Sequence, residues 1–302
     1  MCLASGAAAD AISYGNTIKR ERDIAAAYAA GVRMFAFDSE MELEKLARSA
    51  PGSRVYCRIL VGNDGAEWPL SRKFGCEVEM AKALMVRAAE MGLDAFGLSF
   101  HVGSQQTKTA TYEAAIAKVA MLFTDLVEAG VKVRMVNLGG GYPVRYKAEV
   151  PEIDDFGAAI MGAIVEHFGN NIPEIVIEPG RFLVADAGVV SAEVVLVSRK
   201  AENDPVRWVY LDIGRFGGLA ETEGESIKYA FQTPHDGTPE GPVTIAGPTC
   251  DSTDTLYETS NYRLPMALTA GDRVELLATG AYVTTYASQK FNGFEPLGEH
   301  YI

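Results

Sequence analysis

The sequence predicts an α/β fold: a parallel (β/α)8-type barrel two strands short of its usual eight, followed by a C-terminal β domain. Three observations predict it. Apolar strand-like runs alternate with amphipathic helical stretches over residues 11–178, the pattern of a parallel sheet with right-handed crossovers. Polar and glycine-rich pieces recur just after several different strands, as in a barrel whose strand ends share one mouth, whereas an open sheet concentrates its site at one switch point. Beyond about Asp186 the helical period disappears, and strand-like pieces follow one another between Gly, Pro and Asp turns.

Taken in order, residues 11–15 (AISYG) form a short strand candidate and residues 21–31 (ERDIAAAYAAG) a helix closed by Gly31. RMFAF (33–37) reads as a strand. The next helix starts at Ser39 with Glu42 three residues on, a capping-box pattern, and stops before Pro51 and Gly52. RVYCRIL (54–60) is a strand again. After a loop through Trp68 and Pro69, residues 77–90 carry apolar side chains at helical spacing, and AFGLSFH (95–101) follows as a buried strand. Helices over 111–128 and 154–168 lead to the strands 133–138 (VRMVNL) and 174–178 (EIVIE). That makes six strands. VVSAEVVLVSRK, VRWVYLDIG, GPVTIAG and DRVELLATG then supply a β domain, so the expected division is a barrel over 1–185 and a β domain over 186–302.

Composition excludes whole classes. The 302 residues are 48% hydrophobic, which rules out a disordered chain, and no apolar run approaches the ~18 residues of a membrane span. The opening MCLASGAAAD lacks a basic n-region and a long apolar stretch, so it does not read as a secretory signal. Four cysteines without CxxC spacing argue against a disulfide framework and a zinc cage, and fit a reducing cytoplasm. A net charge of −13 disfavours nucleic-acid partners and is compatible with a cationic small substrate.

Several motifs can carry chemistry. Gly139, Gly140 and Gly141 follow a strand directly, where backbone amides can approach a phosphate without Cβ interference, although a glycine run there is as often a tight turn. Neither GxxxxGK[ST] nor GxGxxG occurs. In EPGR, Glu178 and Arg181 either pair with each other or divide their work between a ring nitrogen and a phosphate. His101 ends an apolar strand, and no HxH or HExxH spacing makes it a metal ligand; His167, His235 and His300 read as surface. GPTCDSTD puts Cys250 and Asp251 in a turn: an Asx turn beside a buried thiol, or an exposed acid aimed at a cation. In TGAY, Gly280 and Ala281 leave room beside Tyr282 for a ligand or another chain.

HVGS, NLGGG, EPGR, GPTCDS, TGAY and FNGF, in that order, resemble the ornithine decarboxylase family of pyridoxal-phosphate (PLP) enzymes, and the resemblance spans residues 2–302. ISYGNTIK and AEWPLSRKFG are most similar to a bacterial branch. The resemblance implies a fold-type III enzyme, an eight-stranded α/β barrel plus a β domain, acting as a head-to-tail homodimer with shared active sites. It implies that His101 stacks on the pyridine ring and Ser104 reaches the phosphate. Gly139, Gly140, Gly141, Arg181 and Tyr282 hold that phosphate, and Glu178 bonds the ring nitrogen. Cys250 and Asp251 then serve the partner's site, the thiol as proton donor to the product carbanion and the carboxylate toward the substrate's distal amine.

Three departures qualify the substrate and the activity. Ala230 stands where eukaryotic members carry an aspartate after the tyrosine matching Tyr229, so ornithine over lysine is not assured. Pro69 replaces an arginine of those members. By the same resemblance the sequence starts after two family strands, the first of which carries the Schiff-base lysine, so the barrel lacks its first two strands; Lys19 and Lys73 lie in segments where the family has lysine for other purposes. The expectation is therefore an enzyme of polyamine biosynthesis that converts L-ornithine to putrescine, N-terminally truncated as given. A catalytically inactive homologue that regulates a decarboxylase by heterodimerisation is the second expectation, and a lysine or diaminopimelate decarboxylase the third.

Overall fold

The computed structural model describes residues 1–69 and 72–302. Two compact units divide it, unit 1 from Met1–Gly141 with Pro151–Pro179 and unit 2 from Tyr142–Val150 with Gly180–Ile302.

Unit 1 alternates strands and helices: β1 (Ser13–Tyr14), α1 (Glu21–Ala29), β2 (Met34–Phe37), α2 (Glu40–Ser49), β3 (Arg54–Arg58), β4 (Ala66–Trp68), α3 (Val78–Glu90), β5 (Asp94–Ser99), β6 (Ser104–Gln106), α4 (Thr109–Glu128), β7 (Met135–Asn137), α5 (Ile153–Phe168) and β8 (Glu174–Val176). Six strands form one parallel sheet in the order β1-β2-β3-β5-β7-β8, with β1 and β8 at its ends. This is the barrel-type sheet with six strands rather than eight that the alternation predicts, so it is not a complete TIM barrel.

Both faces of the sheet are apolar, which is why its strands read as continuous hydrophobic runs. Phe35, Phe37, Val55, Cys57, Leu98 and Val136 are fully buried on one set of alternate positions, and Met34, Ala36, Tyr56, Phe96 and Met135 cluster on the other. Each of the Phe, Val, Leu and Met side chains among them contributes about 1.5–3 kcal/mol. Register then fixes the mouth. Phe37 lies opposite Cys57, Arg58 opposite Ser99, Ser99 opposite Asn137 and Asn137 opposite Val176. Because the strands run one way, the residues after each strand gather at one end.

The capping box expected at Ser39 does not form. Ser39 makes no side-chain cap bond, and Glu42 is instead buried, pairing with Lys19 Nζ at 2.9 Å and Lys45 Nζ at 2.5 Å. A buried carboxylate gains more from two cations than from one backbone N–H. A capping box does start α5, between Glu152 and Asp155. The antiparallel pair β4–β6 was not legible, since these three-residue strands (AEW and SQQ) lie in no apolar run.

Unit 2 holds a short helix α6 (Gly180–Val184) and seven strands, β9 (Val190–Ser198), β10 (Arg207–Leu211), β11 (Phe231–Gln232), β12 (Glu240–Ala246), β13 (Thr255–Tyr257), β14 (Arg263–Pro265) and β15 (Arg273–Leu276). Their order is β11-β15-β9-β10-β12-β13, with β14 also on β12; β10 and β12 run parallel and the other pairs antiparallel. Alternate residues Val190, Ala192 and Val194 of β9 join Val209, Leu211, Val243, Ile245, Val274 and Leu276 in its core.

Candidate functional site

The site in unit 1 is organised by Asn137, the last residue of β7. Its Oδ1 accepts the Gly139 N–H at 2.9 Å, and its Nδ2 donates to Glu178 Oε1 at 2.7 Å. The three glycine carbonyls are all taken. Gly139 O accepts the Glu178 N–H at 2.9 Å, Gly140 O the Tyr112 hydroxyl at 2.8 Å, and Gly141 O the Gln106 N–H at 2.8 Å. The N–H groups of Gly140 and Gly141 donate to nothing among the described residues. Two adjacent backbone donors beside locked carbonyls are the donor set of an anion site.

The glycines are required for a reason the sequence reading did not give. A Cβ on Gly140 would lie 2.3 Å from Glu178 O, and one on Gly141 would lie 2.1 Å from Gly103 O. The room is filled by the chain's own backbone, which fixes where the two free amides stand.

His101 follows β5 beside these glycines, its Nε2 lying 3.5 Å from the Cβ position of Gly140. Its Nδ1 accepts the Gly103 N–H at 3.1 Å. Burial first, and then the Arg58 charge, push the imidazole down to about 4, so the ring is neutral at neutral pH. Ser104 opens β6, where it pairs with Trp68. Arg58, Asn63, Arg72, Phe74 and His101 line a cavity of about 170 Å³. Sequence reasoning missed Asn137 and Arg58; their signal was a polar side chain at the C-terminal end of an apolar strand. Lys19 is spent: its buried ammonium reaches Asn16 O at 2.8 Å, Ala36 O at 2.6 Å and Glu42.

In unit 2, Arg181 does not stand free. It is buried, donating to Tyr146 Oη at 2.8 Å and to Glu221 Oε1 at 2.6 Å. Burial alone would lower its pKa, but Glu221 and Tyr146 hold it raised. The paired acid is thus Glu221, which the sequence reading missed, while Glu178 has Asn137. Tyr282, at φ 56°, sets its ring 4.8 Å from the Arg181 guanidinium carbon. The space beside Gly280 is taken by the same chain, since a Cβ there would meet Val184 O at 1.9 Å.

Cys250 is exposed, not buried, and its thiol donates to Asn292 Oδ1 at 3.4 Å. Asp251 forms the Asx turn, accepting from Thr253 N at 2.9 Å and Thr253 Oγ1 at 2.7 Å, and these bonds hold its pKa down. His235, read as surface, is half-buried and pairs with Asp272 at 3.0 Å. Among the described residues no three His, Cys, Asp or Glu side chains gather as a metal site, and no helix is long and apolar enough to cross a membrane.

The sequence model of the family described as "Pyridoxal-dependent decarboxylase, pyridoxal binding domain" matches residues 1–185. The chain belongs to that family. Among its relatives, the lysine/ornithine decarboxylase of Selenomonas ruminantium is 34% identical over 283 residues, covering 93% of this chain and 69% of that protein. Antizyme inhibitor 2 of Xenopus laevis is 31% identical over 309 residues, covering 98% of this chain and 67% of that protein. The solved lysine/ornithine decarboxylase of Vibrio vulnificus, complexed with cadaverine, superimposes with a TM-score of 0.83 at 34% identity, covering 97% of this chain and 76% of that one. The chain therefore spans between two thirds and three quarters of these proteins. The pyridoxal-dependent decarboxylase family is thus shown by sequence and fold together.

The residues of unit 1 fit the family's cofactor. Two unpartnered amides suit a phosphate, a neutral imidazole suits a ring face, and Glu178 offers a carboxylate hydrogen-bonded by the neutral amide of Asn137.

Proposed function

We propose that this protein decarboxylates a basic amino acid with pyridoxal phosphate, L-ornithine to putrescine first among the candidates, as a cytoplasmic homodimer with shared active sites. The observation that carries the reading is the pair of free amides at Gly140 and Gly141, beside His101 and tied through Asn137 to Glu178. Bound pyridoxal phosphate supplies a ring that accepts the electron pair left when a carboxyl group departs as CO2.

The chain's own residues do the rest. Gly140 and Gly141 would bind the phosphate through their amides, with Gly139, Ser104, Arg181 and Tyr282 assigned to the same group. His101 covers one ring face without adding a positive charge that would oppose a cationic ring. Glu178, oriented by Asn137, would accept a hydrogen bond from the protonated ring nitrogen and favour that protonated form, which would maintain the ring's electron demand. Cys250 would supply the proton that the product carbon takes up, and Asp251, a half-buried carboxylate, would meet the substrate's distal ammonium. We assign residues 1–185 to the cofactor-binding domain and 186–302 to the β domain.

The substrate assignment is tested by comparing CO2 release from ornithine, lysine, arginine and diaminopimelate at saturating pyridoxal phosphate. Ornithine is expected to turn over fastest, and faster turnover of diaminopimelate would overturn the choice. The likeness to antizyme inhibitor 2 favours a second reading, a regulatory homologue that pairs with an active decarboxylase. Cofactor binding with no turnover of any of the four amino acids would select it.

A further inference from the structure

Cys57 and Cys76 are 19 positions apart, yet their Sγ atoms lie 3.6 Å from each other. Both are buried free thiols, and Cys76 retains 5% exposure whereas Cys57 has none. Backbone bonds hold them there. Cys76 forms a parallel bridge with Ile59, its N–H donating to Arg58 O at 3.0 Å and its carbonyl accepting the Leu60 N–H at 2.9 Å. Next to it, the Gly75 N–H donates to Asp38 Oδ2 at 2.8 Å. Cys57 therefore stands in β3, and the chain returns at Cys76 against Ile59 just past that strand's end, with the returning segment clamped on both sides. Absence of CxxC spacing concealed the pair, because the topology, not the local sequence, brings the thiols together.

We propose that Cys57 and Cys76 are a modification site: a dithiol that hydrogen peroxide closes to a disulfide. A disulfide needs sulfurs at about 2.05 Å, an approach of roughly 1.5 Å that rotation about the Cα–Cβ bonds supplies more readily than backbone movement does. Cys76, the thiol with some exposure, attacks peroxide; the O–O bond breaks, its sulfur gains one oxygen as a sulfenic acid, and the other oxygen leaves as water. The Cys57 sulfur then displaces that hydroxyl. An S–S bond forms, the S–O bond breaks, and the Cys57 proton departs with the hydroxyl as a second water. The two thiols lose two electrons and the peroxide gains two. The hydrogen bond from Cys57 lowers the pKa of Cys76, while that same contact and burial raise Cys57, which matches the order of events.

The bond would close the loop that carries Asn63, Arg72 and Phe74, three residues of the cavity wall facing His101. Oxidation would fix that wall, and reduction by a thiol would release it. This inference stands apart from the decarboxylase reading, since it needs neither cofactor nor substrate.

The test is peroxide treatment of the folded protein, then denaturation, alkylation, digestion and mass mapping. The expected product is a linked pair of peptides containing Cys57 and Cys76, lighter by two hydrogen atoms than the separate peptides and parted by a thiol reductant. Cys57→Ala is expected to abolish the link and leave a sulfenic acid on Cys76 that dimedone traps. Recovery of both residues as alkylated thiols, pairing of either with Cys2 or Cys250 instead, or an unchanged link after peroxide treatment of the denatured chain alone would overturn the proposal.

Discussion

Asn137 joins Glu178 to the glycine turn: one end of its amide donates to the Glu178 carboxylate at 2.7 Å and the other accepts the Gly139 N–H at 2.9 Å. A single side chain thereby sets both the carboxylate proposed for the ring nitrogen and the first amide of the phosphate turn. Asn137→Leu keeps the branched shape of the side chain and removes both bonds. The expected result is pyridoxal-phosphate binding weakened about tenfold, the equivalent of one net hydrogen bond. Fluorescence titration with the cofactor checks it, and an unchanged affinity contradicts the role given to Asn137.

Glycine substitutions should separate by place. Gly140→Ala drives a Cβ to 2.3 Å from Glu178 O, whereas Gly157, exposed on α5, has nothing within 4 Å of its Cβ position. Gly140→Ala is expected to cost about 2 kcal/mol or more, and Gly157→Ala to stabilise by roughly 0.5–1 kcal/mol. Urea denaturation of the two variants measures both. Equal effects would mean that the turn is not as tightly enclosed as the structure has it.

The Arg181–Glu221 pair is buried, with both side chains 4% exposed and 2.6 Å between Nη2 and Oε1. Glu221→Ala leaves the guanidinium buried without its anion, for an expected loss of about 3–5 kcal/mol. Replacing both residues by Met removes the charge along with its partner and should restore much of that loss. Denaturation midpoints of the single and double variants decide it, and a double variant as unstable as the single one would contradict the account.

His101 predicts a pH dependence. Its folded pKa, about 4, lies below the ordinary 6.5, so between these values the unfolded chain binds the proton and the folded one does not. Stability is expected to fall as pH drops from 6.5 towards 4 and to level off below, for a total of roughly 3 kcal/mol from this residue. His101→Gln should flatten that window. Thermal melts of both proteins across it make the comparison, and parallel curves would count against a neutral buried ring.

How far the fold was legible follows from the length of each pattern. The inner strands β2, β3, β5 and β7 of the parallel sheet stood out because burial on both faces makes continuous apolar runs, and Phe35, Val55 and Leu98 lie within them. β4, β6, β13 and β14 were not legible, because each is a three-residue strand outside any longer apolar run such as VRMVNL around β7. At the site, the residues named by motif, His101, the three glycines and Glu178, meet in unit 1. Asn137, Arg58 and Glu221 escaped because their roles depend on partners 41, 43 and 40 positions away, respectively Glu178, His101 and Arg181. Ser39 and Glu42 misled for the same reason: a local capping pattern lost to Lys19, 23 residues upstream of Glu42.

The central claim is that the free amides of Gly140 and Gly141 bind a phosphate next to His101 and Glu178. The most direct measurement compares the affinity of the protein for pyridoxal phosphate and for pyridoxal, by ring fluorescence, with inorganic phosphate as competitor. Saturable binding of pyridoxal phosphate at least about tenfold tighter than pyridoxal, and displaced by inorganic phosphate, is the predicted result. Equal affinity for the two, or no saturable binding of either, would contradict it.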